Sequence, residues 1–169
     1  MKSTRSTPNS IRHQKPFKTP PTLQHMAILL QNADHKLTGT ALYLTLRAQR
    51  IKNEPLDQLL TRLCNTRWLP TDVELNKAVD ATILSGKIVA KLGRLNSCVT
   101  RSLVLATILS DRSNISIQIG FRSPHMHGVE GHAWVLVDNK PIEFSRGETR
   151  FIQSHQIVRT IPVARFNPI

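Results

Sequence analysis

Cys98 and His132 are the two residues of this chain whose types and settings suit covalent chemistry. Cys98 stands at the start of a helical pattern, N-S-C-V-T-R-S-L-V-L-A-T-I-L from Asn96 to Leu109. His132 stands at the start of a strand pattern, G-H-A-W-V-L-V-D from Gly131 to Asp138. A thiol in the first turn of a helix lies near the positive end of the backbone dipole and near N–H groups with no partner inside the helix. Both favour the thiolate. An imidazole on an adjacent strand takes the thiol proton and later returns it to a leaving group, so the pair suits nucleophilic acyl transfer. Either residue alone is more simply read as a packed side chain, and the assignment depends on the fold bringing them together.

Several elements must position that pair. Ser97 is a good N-cap, which makes Cys98 the first residue of a helix that buries Leu103, Ala106 and Leu109 and ends near Asp111 to Asn114. Alternation at Ile115, Ile117 and Ile119 predicts a strand ending at Gly120, and Ala133 to Val137 a second. Asp138-Asn139-Lys140 is turn chemistry, with a third strand at Pro141 to Phe144. A further strand over Ile157 to Val163 contains Pro162, which confines it to an edge. Upstream, the pattern from Leu23 to about Leu92 is mainly helical. Met26, Leu29 and Leu30 have helical spacing, and Leu42 and Leu46 do too, although Leu44 between them also fits a short strand. Pro55 with Leu56, Leu59, Leu60 and Leu63 reads as a helix with proline in its first turn. Another helix begins at Thr71-Asp72, buries Val73, Val79, Ile83, Ile88 and Leu92, and stops at Gly93. Helices first, then the Cys helix, then an antiparallel sheet predict an α+β fold.

The 169 residues, 40% apolar, suffice for one domain and a tail. Residues 1–22 combine Pro, Ser, Thr and Lys with few large apolar side chains and read as a disordered basic tail. Residues 23–169 read as a single domain, helical over 23–93 and built from the Cys helix and sheet over 94–169. The first twenty residues hold five basic side chains and no acid, leaving +7 of the net +12 for the body. Such an excess attracts polyanions, but one Tyr, two Trp and five Phe are too few for a base-stacking platform, so nucleic acid is not the expected partner. Two cysteines make no disulfide framework, and the longest apolar run near the N-terminus, Met26 to Leu30, is too short to span a bilayer; a cytoplasmic setting is expected. Cys64 continues the stripe of Leu63 and reads as a small buried hydrophobe. His125, His127 and His132 have an H-x-H-x4-H spacing, but zinc on His132 would remove the base that the cysteine needs, so neither metal nor cofactor is expected.

Three motifs in order, N-S-C-V-T-R-S-L, I-Q-I-G-F-R-S and G-H-A-W-V-L-V-D, together resemble the core of the lasso-peptide leader peptidases, bacterial maturation proteases with a transglutaminase-like, papain-type fold. The resemblance spans roughly Leu95 to Phe144. It implies a central Cys helix packed on a small antiparallel sheet and a Cys-His-acid triad that cuts a ribosomally made precursor between leader and core. It further implies a separate ATP-dependent lasso cyclase acting afterwards. Cys98 would be the nucleophile and His132 the base. The family's third member, an aspartate, falls near Glu143 and Phe144 here. Glu143 is the preferred acid if the strand register suits it, with Asp138 the alternative, although a turn position suits Asp138 better to backbone capping. Arg101 and Arg122 read as solvated surface arginines, with contact to leader acids the alternative, and Trp134 as packing. Proteins similar to this one use a winged helix-turn-helix recognition domain. Residues 1–92 show no strand hairpin for it, so a separate leader-recognition protein is the expected partner beside the precursor peptide. Two other functions stay open: an acyl transferase or amidase on the same fold, and a non-catalytic basic binding module.

Overall fold

The computed structural model describes residues 34–50, 54–66, 68–94, 97–122, 130–142, 144 and 156–163. The basic segment 1–22 and the apolar group at Met26, Leu29 and Leu30 lie outside them. Helix α1 (His35–Arg50) begins at Asp34, whose carboxylate accepts the Leu37 N–H at 2.9 Å. Leu37, Ala41, Leu44 and Ala48 are buried at spacings of four, three and four, which settles the ambiguous Leu42-Leu44-Leu46 stretch as helix. Helix α2 (Leu56–Cys64) starts one residue later than predicted, with Pro55 as the extended residue before it rather than inside its first turn. Cys64 is buried among core leucines, as its place beside Leu63 implies.

Helix α3 (Leu75–Lys91) also starts later than the sequence suggests. Asp72 has a left-handed backbone (φ 53°), which a helix cannot accommodate, and its N–H is held by the Asp111 carboxylate at 2.6 Å. Arg112 secures the same linker by donating to the Val73 carbonyl at 2.6 Å. Past the other end of α3, Gly93 takes φ 73°, the left-handed value that stops a helix and that glycine adopts without strain.

Helix α4 (Cys98–Ile108) is the central element. The sequence marks one apolar face, but every residue from Ser102 to Ser110 is buried, because α1, α2 and α3 pack around the helix and the sheet lies on another side. A helix enclosed this way has no free outer face beyond its first turn, so its N-terminal end is the part left for chemistry.

Strands β1 (Ile115–Arg122), β2 (Glu130–Val137), β3 (Lys140–Pro141) and β4 (Gln156–Val163) form one antiparallel sheet in the order β3-β2-β1-β4. Asp138 and Asn139, with φ 51° and 63°, make the tight turn from β2 to β3. The third strand is two residues long rather than the four predicted, although the Ile142 N–H still donates to the Val135 carbonyl at 2.9 Å. β4 is an edge strand, where Pro162 is tolerated. Alternation sends Ile115, Ile117, Val135 and Val137 into the main core, while Trp134 and Leu136 form a separate small cluster. The architecture is α+β: four helices and a small antiparallel sheet among the described residues. None of those helices is long and apolar enough to cross a membrane.

Candidate active site

Ser97 sets the local geometry of the site. Its extended backbone (φ −79°, ψ 159°) brings the chain into α4, and its Oγ accepts the Thr100 N–H at 3.1 Å. Cys98 is therefore the first helical residue and is half-buried. On the opposite side, cross-strand pairing of Gly120 with His132 and Ile119 with Ala133 fixes where the imidazole stands. Among the described residues β3 pairs with β2 only at Leu136 and Val137, so no described strand partner stands at the β2 edge beside Ala133. The Ala133 N–H there hydrogen-bonds the Cys98 sulfur, and the His132 side chain hydrogen-bonds the same thiol.

These contacts decide the electrostatics of the sulfur. Burial is the largest influence and pushes the Cys98 thiol up. It is outweighed by the His132 side-chain hydrogen bond, the Ala133 N–H, the charge of His132 and the Val99 N–H, which together bring the thiol below its ordinary range. The contact with His132 thus favours the thiolate, which is the starting condition for attack on an acyl carbon.

The ring of His132 is itself held. It stacks on Trp134 with centroids 6.0 Å apart and planes 22° from parallel. Trp134 is buried, in accord with a packing role, and donates its indole N–H to Gln118 Oε1 at 3.0 Å. Gly131, the residue before His132, allows a close approach: a Cβ there would come within 2.8 Å of Phe121 Cε1. Phe121 is paired with Gly131 and remains 41% exposed, an aromatic surface beside the site. Sequence reasoning singled out neither Gln118 nor Phe121. The available signal was their register opposite Trp134 and Gly131, which appears only after the two strands are paired.

The two acids are not placed alike. Asp138 sits in the turn at the far end of β2, where its carboxylate accepts from Asn114 Nδ2 at 3.4 Å. At about 3.3 Å per strand residue it is about 20 Å from His132. Asp138 is therefore not brought to the imidazole. Glu143 lies outside the described residues, as do His125 and His127. Beyond it, Phe144 lies with its ring 5.2 Å from the Arg101 guanidinium. Arg101 is accordingly half-buried against that ring instead of solvated as its type suggested, and Arg122 ends β1. Among the described residues no three His, Cys, Asp or Glu side chains gather as a metal site.

A cleft of about 790 Å³ opens on the other flank of the helix start. Ala48, Leu56, Leu59, Val99 and Leu103 give it apolar walls, and Arg94 and Glu54 supply charge. Cys98 does not line it, but both sequence neighbours, Ser97 and Val99, do. The cleft is thus space adjoining the Cys98–His132 contact rather than part of it.

Residues 74–154 match the family model described as the transglutaminase-like superfamily. That span takes in α3, the Cys helix, β1, β2 and the turn after them, and so includes both Cys98 and His132. The match supports a papain-like core of the kind used by cysteine proteases and acyl transferases. No curated protein and no solved structure gave a significant match.

Proposed function

We propose that this chain is a cysteine peptidase that removes the leader from a ribosomally made lasso-peptide precursor, with Cys98 as nucleophile and His132 as general base. The observation that carries the reading is the hydrogen bond between the Cys98 thiol and the His132 imidazole, reinforced by the Ala133 and Val99 N–H groups on the same sulfur. The transglutaminase-like match over 74–154 supports thiol acyl chemistry in general. The specific substrate follows from the resemblance of the three sequence motifs.

In the proposed reaction, His132 takes the Cys98 proton and the thiolate attacks the scissile carbonyl. The Val99 and Ala133 N–H groups hold the sulfur, so the developing oxyanion falls to other donors at the helix start, including the Cys98 N–H. His132 then protonates the departing amine as the C–N bond breaks, leaving the leader as a thioester on Cys98. Water, deprotonated by His132, hydrolyses the thioester and restores the thiol. Glu143 is the proposed acid that orients the imidazole. The adjoining cleft accommodates the peptide on one side of the sulfur.

The test is incubation with the precursor encoded beside the chain, with and without a separate leader-recognition protein, followed by mass spectrometry. Cys98→Ala should abolish cleavage while leaving the chain folded, with the circular-dichroism spectrum of the unaltered chain. Glu143→Gln should slow it severalfold or more, whereas Asp138→Asn should not. Full cleavage by Cys98→Ala would remove the mechanism. An amide product in the presence of added amine, formed in place of the acid, would favour the acyl-transferase reading.

A further inference from the structure

We propose that the outer stripe of α1, together with Trp68, is a docking surface for an acidic segment of another protein that presses an apolar side chain onto the Tyr43–Trp68 pair. The inference rests on features distant in chemistry from Cys98 and does not depend on the peptidase reading.

Lys36, Gly39, Tyr43, Arg47 and Arg50 follow one another at spacings of three, four, four and three, which places them along a single helix face. Tyr43 and Trp68 are 44% and 49% exposed, although both are large aromatics that a monomer would otherwise bury. They contact edge to face, with centroids 4.9 Å apart and planes at 69°. Arg47 stands beside Tyr43: its Nη1 donates to the Tyr43 hydroxyl and to Thr66 Oγ1, each at 3.4 Å, with its guanidinium carbon 6.0 Å from the Tyr43 ring centre. A tryptophan, a tyrosine and an arginine grouped at the surface form the composition that dominates binding energy in protein interfaces.

The charge of the stripe specifies the partner. The chain has no acid between Asp34 and Glu54; Asp34 is occupied in capping α1, and Glu54 is paired with Arg62 at 2.8 Å. Among the described residues, neither Lys36, Arg47 nor Arg50 has a carboxylate partner. Among the described residues the charge on this face is therefore positive with no acid set against it, and complementarity calls for carboxylates. The edge-to-face ring pair offers one aromatic face rather than a series of parallel ones, which suits an apolar side chain better than successive nucleobases.

Gly39 supplies a further observation. It lies within α1, where glycine is a poor helix former, yet a Cβ added there would meet nothing within 4 Å. Among the described residues no packing requires a glycine at that position. A partner lying across the helix between Lys36 and Tyr43 would require it, because only there can another backbone come close.

The experiment uses the full chain and three probes read by fluorescence anisotropy. They are a short labelled peptide with glutamates flanking a central leucine and phenylalanine, its counterpart with lysine for every glutamate, and a single-stranded uridine oligonucleotide. The glutamate peptide should bind saturably and lose about tenfold or more in affinity with Trp68→Ala or Arg47→Glu, as truncation of a central contact does. Gly39→Gln should weaken binding similarly while leaving the melting temperature at or above that of the unaltered chain, since glutamine is the better helix former. That opposite movement of stability and binding separates a docking face from a structural one. The proposal is overturned by an absence of saturable binding, by equal binding of the lysine peptide, by equal binding of the three variants, or by tighter binding of the oligonucleotide. It is likewise overturned if Trp68→Ala dissolves a self-associated form in sedimentation, which would assign the face to a second copy of this chain.

Discussion

Replacing Ser97 tests the link between helix capping and thiol reactivity, because one side chain starts the helix whose first residue is Cys98. The Ser97 Oγ accepts the Thr100 N–H at 3.1 Å and lies 2.9 Å from the Thr100 hydroxyl. Ser97→Ala removes that acceptor, and losing an N-cap of this kind costs about 1 kcal/mol, within about 0.5–2. For a chain of this size that lowers the melting temperature by about 2–4 °C. The first turn also carries the Val99 N–H that holds the Cys98 sulfur, so a looser turn should slow alkylation at neutral pH. Ser97→Asp separates the two effects. A carboxylate caps as well as a hydroxyl and favours the positive helix end, so this variant should melt at or above the unaltered chain. Its charge, however, stands beside the sulfur and opposes the thiolate, so the alkylation profile should move to higher pH. Circular-dichroism melts and iodoacetamide kinetics across pH read the two quantities independently. If Ser97→Ala melts and alkylates like the unaltered chain, or if Ser97→Asp destabilises as much as alanine does, the cap does not organise the thiol as described.

The alkylation profile of the unaltered chain should inflect below the ordinary thiol range, and His132→Ala should move it upward, since burial is then opposed only by the Ala133 and Val99 N–H groups. The same lowered thiol is linked to stability. Between the folded and ordinary values the unfolded chain holds the extra proton, so the contribution is complete above the ordinary thiol pKa and disappears as pH falls through the folded one. The stability difference between the unaltered chain and Cys98→Ser, followed by denaturant titration at several pH values, should therefore widen with rising pH; a constant difference would contradict the assignment. Gln118→Met removes the acceptor 3.0 Å from the buried Trp134 indole and should destabilise by about 1–3 kcal/mol in a urea titration. It should also slow Cys98 alkylation, because Trp134 stacks on His132; unchanged stability would show that the bond contributes little.

Much of the fold was legible along the chain. Ser97 as cap, Cys98 as first helical residue, Gly93 as helix stop and the Asp138-Asn139 turn are local effects of backbone preference and capping, decided within a few residues. Less could be read where a distant contact intervenes. The start of α3 is delayed because Asp72 is held by Asp111, and α4 is buried on all sides because three helices and a sheet surround it. Arg101 looked like a solvated surface residue and instead lies against Phe144.

What the chain determined by itself is which residues are of a type suited to thiol chemistry and what local structure each begins, since residue type and nearest neighbours suffice for that. Only the tertiary structure decided that the Ala133 N–H and the His132 ring meet the same sulfur, that Asp138 is a strand length from them, and that Gln118 and Phe121 support the site. The physical reason is that these depend on strand register and on where β3 stops. Register is set by pairing between separate segments, and a one-residue slip in it would turn the same side chains to the opposite face.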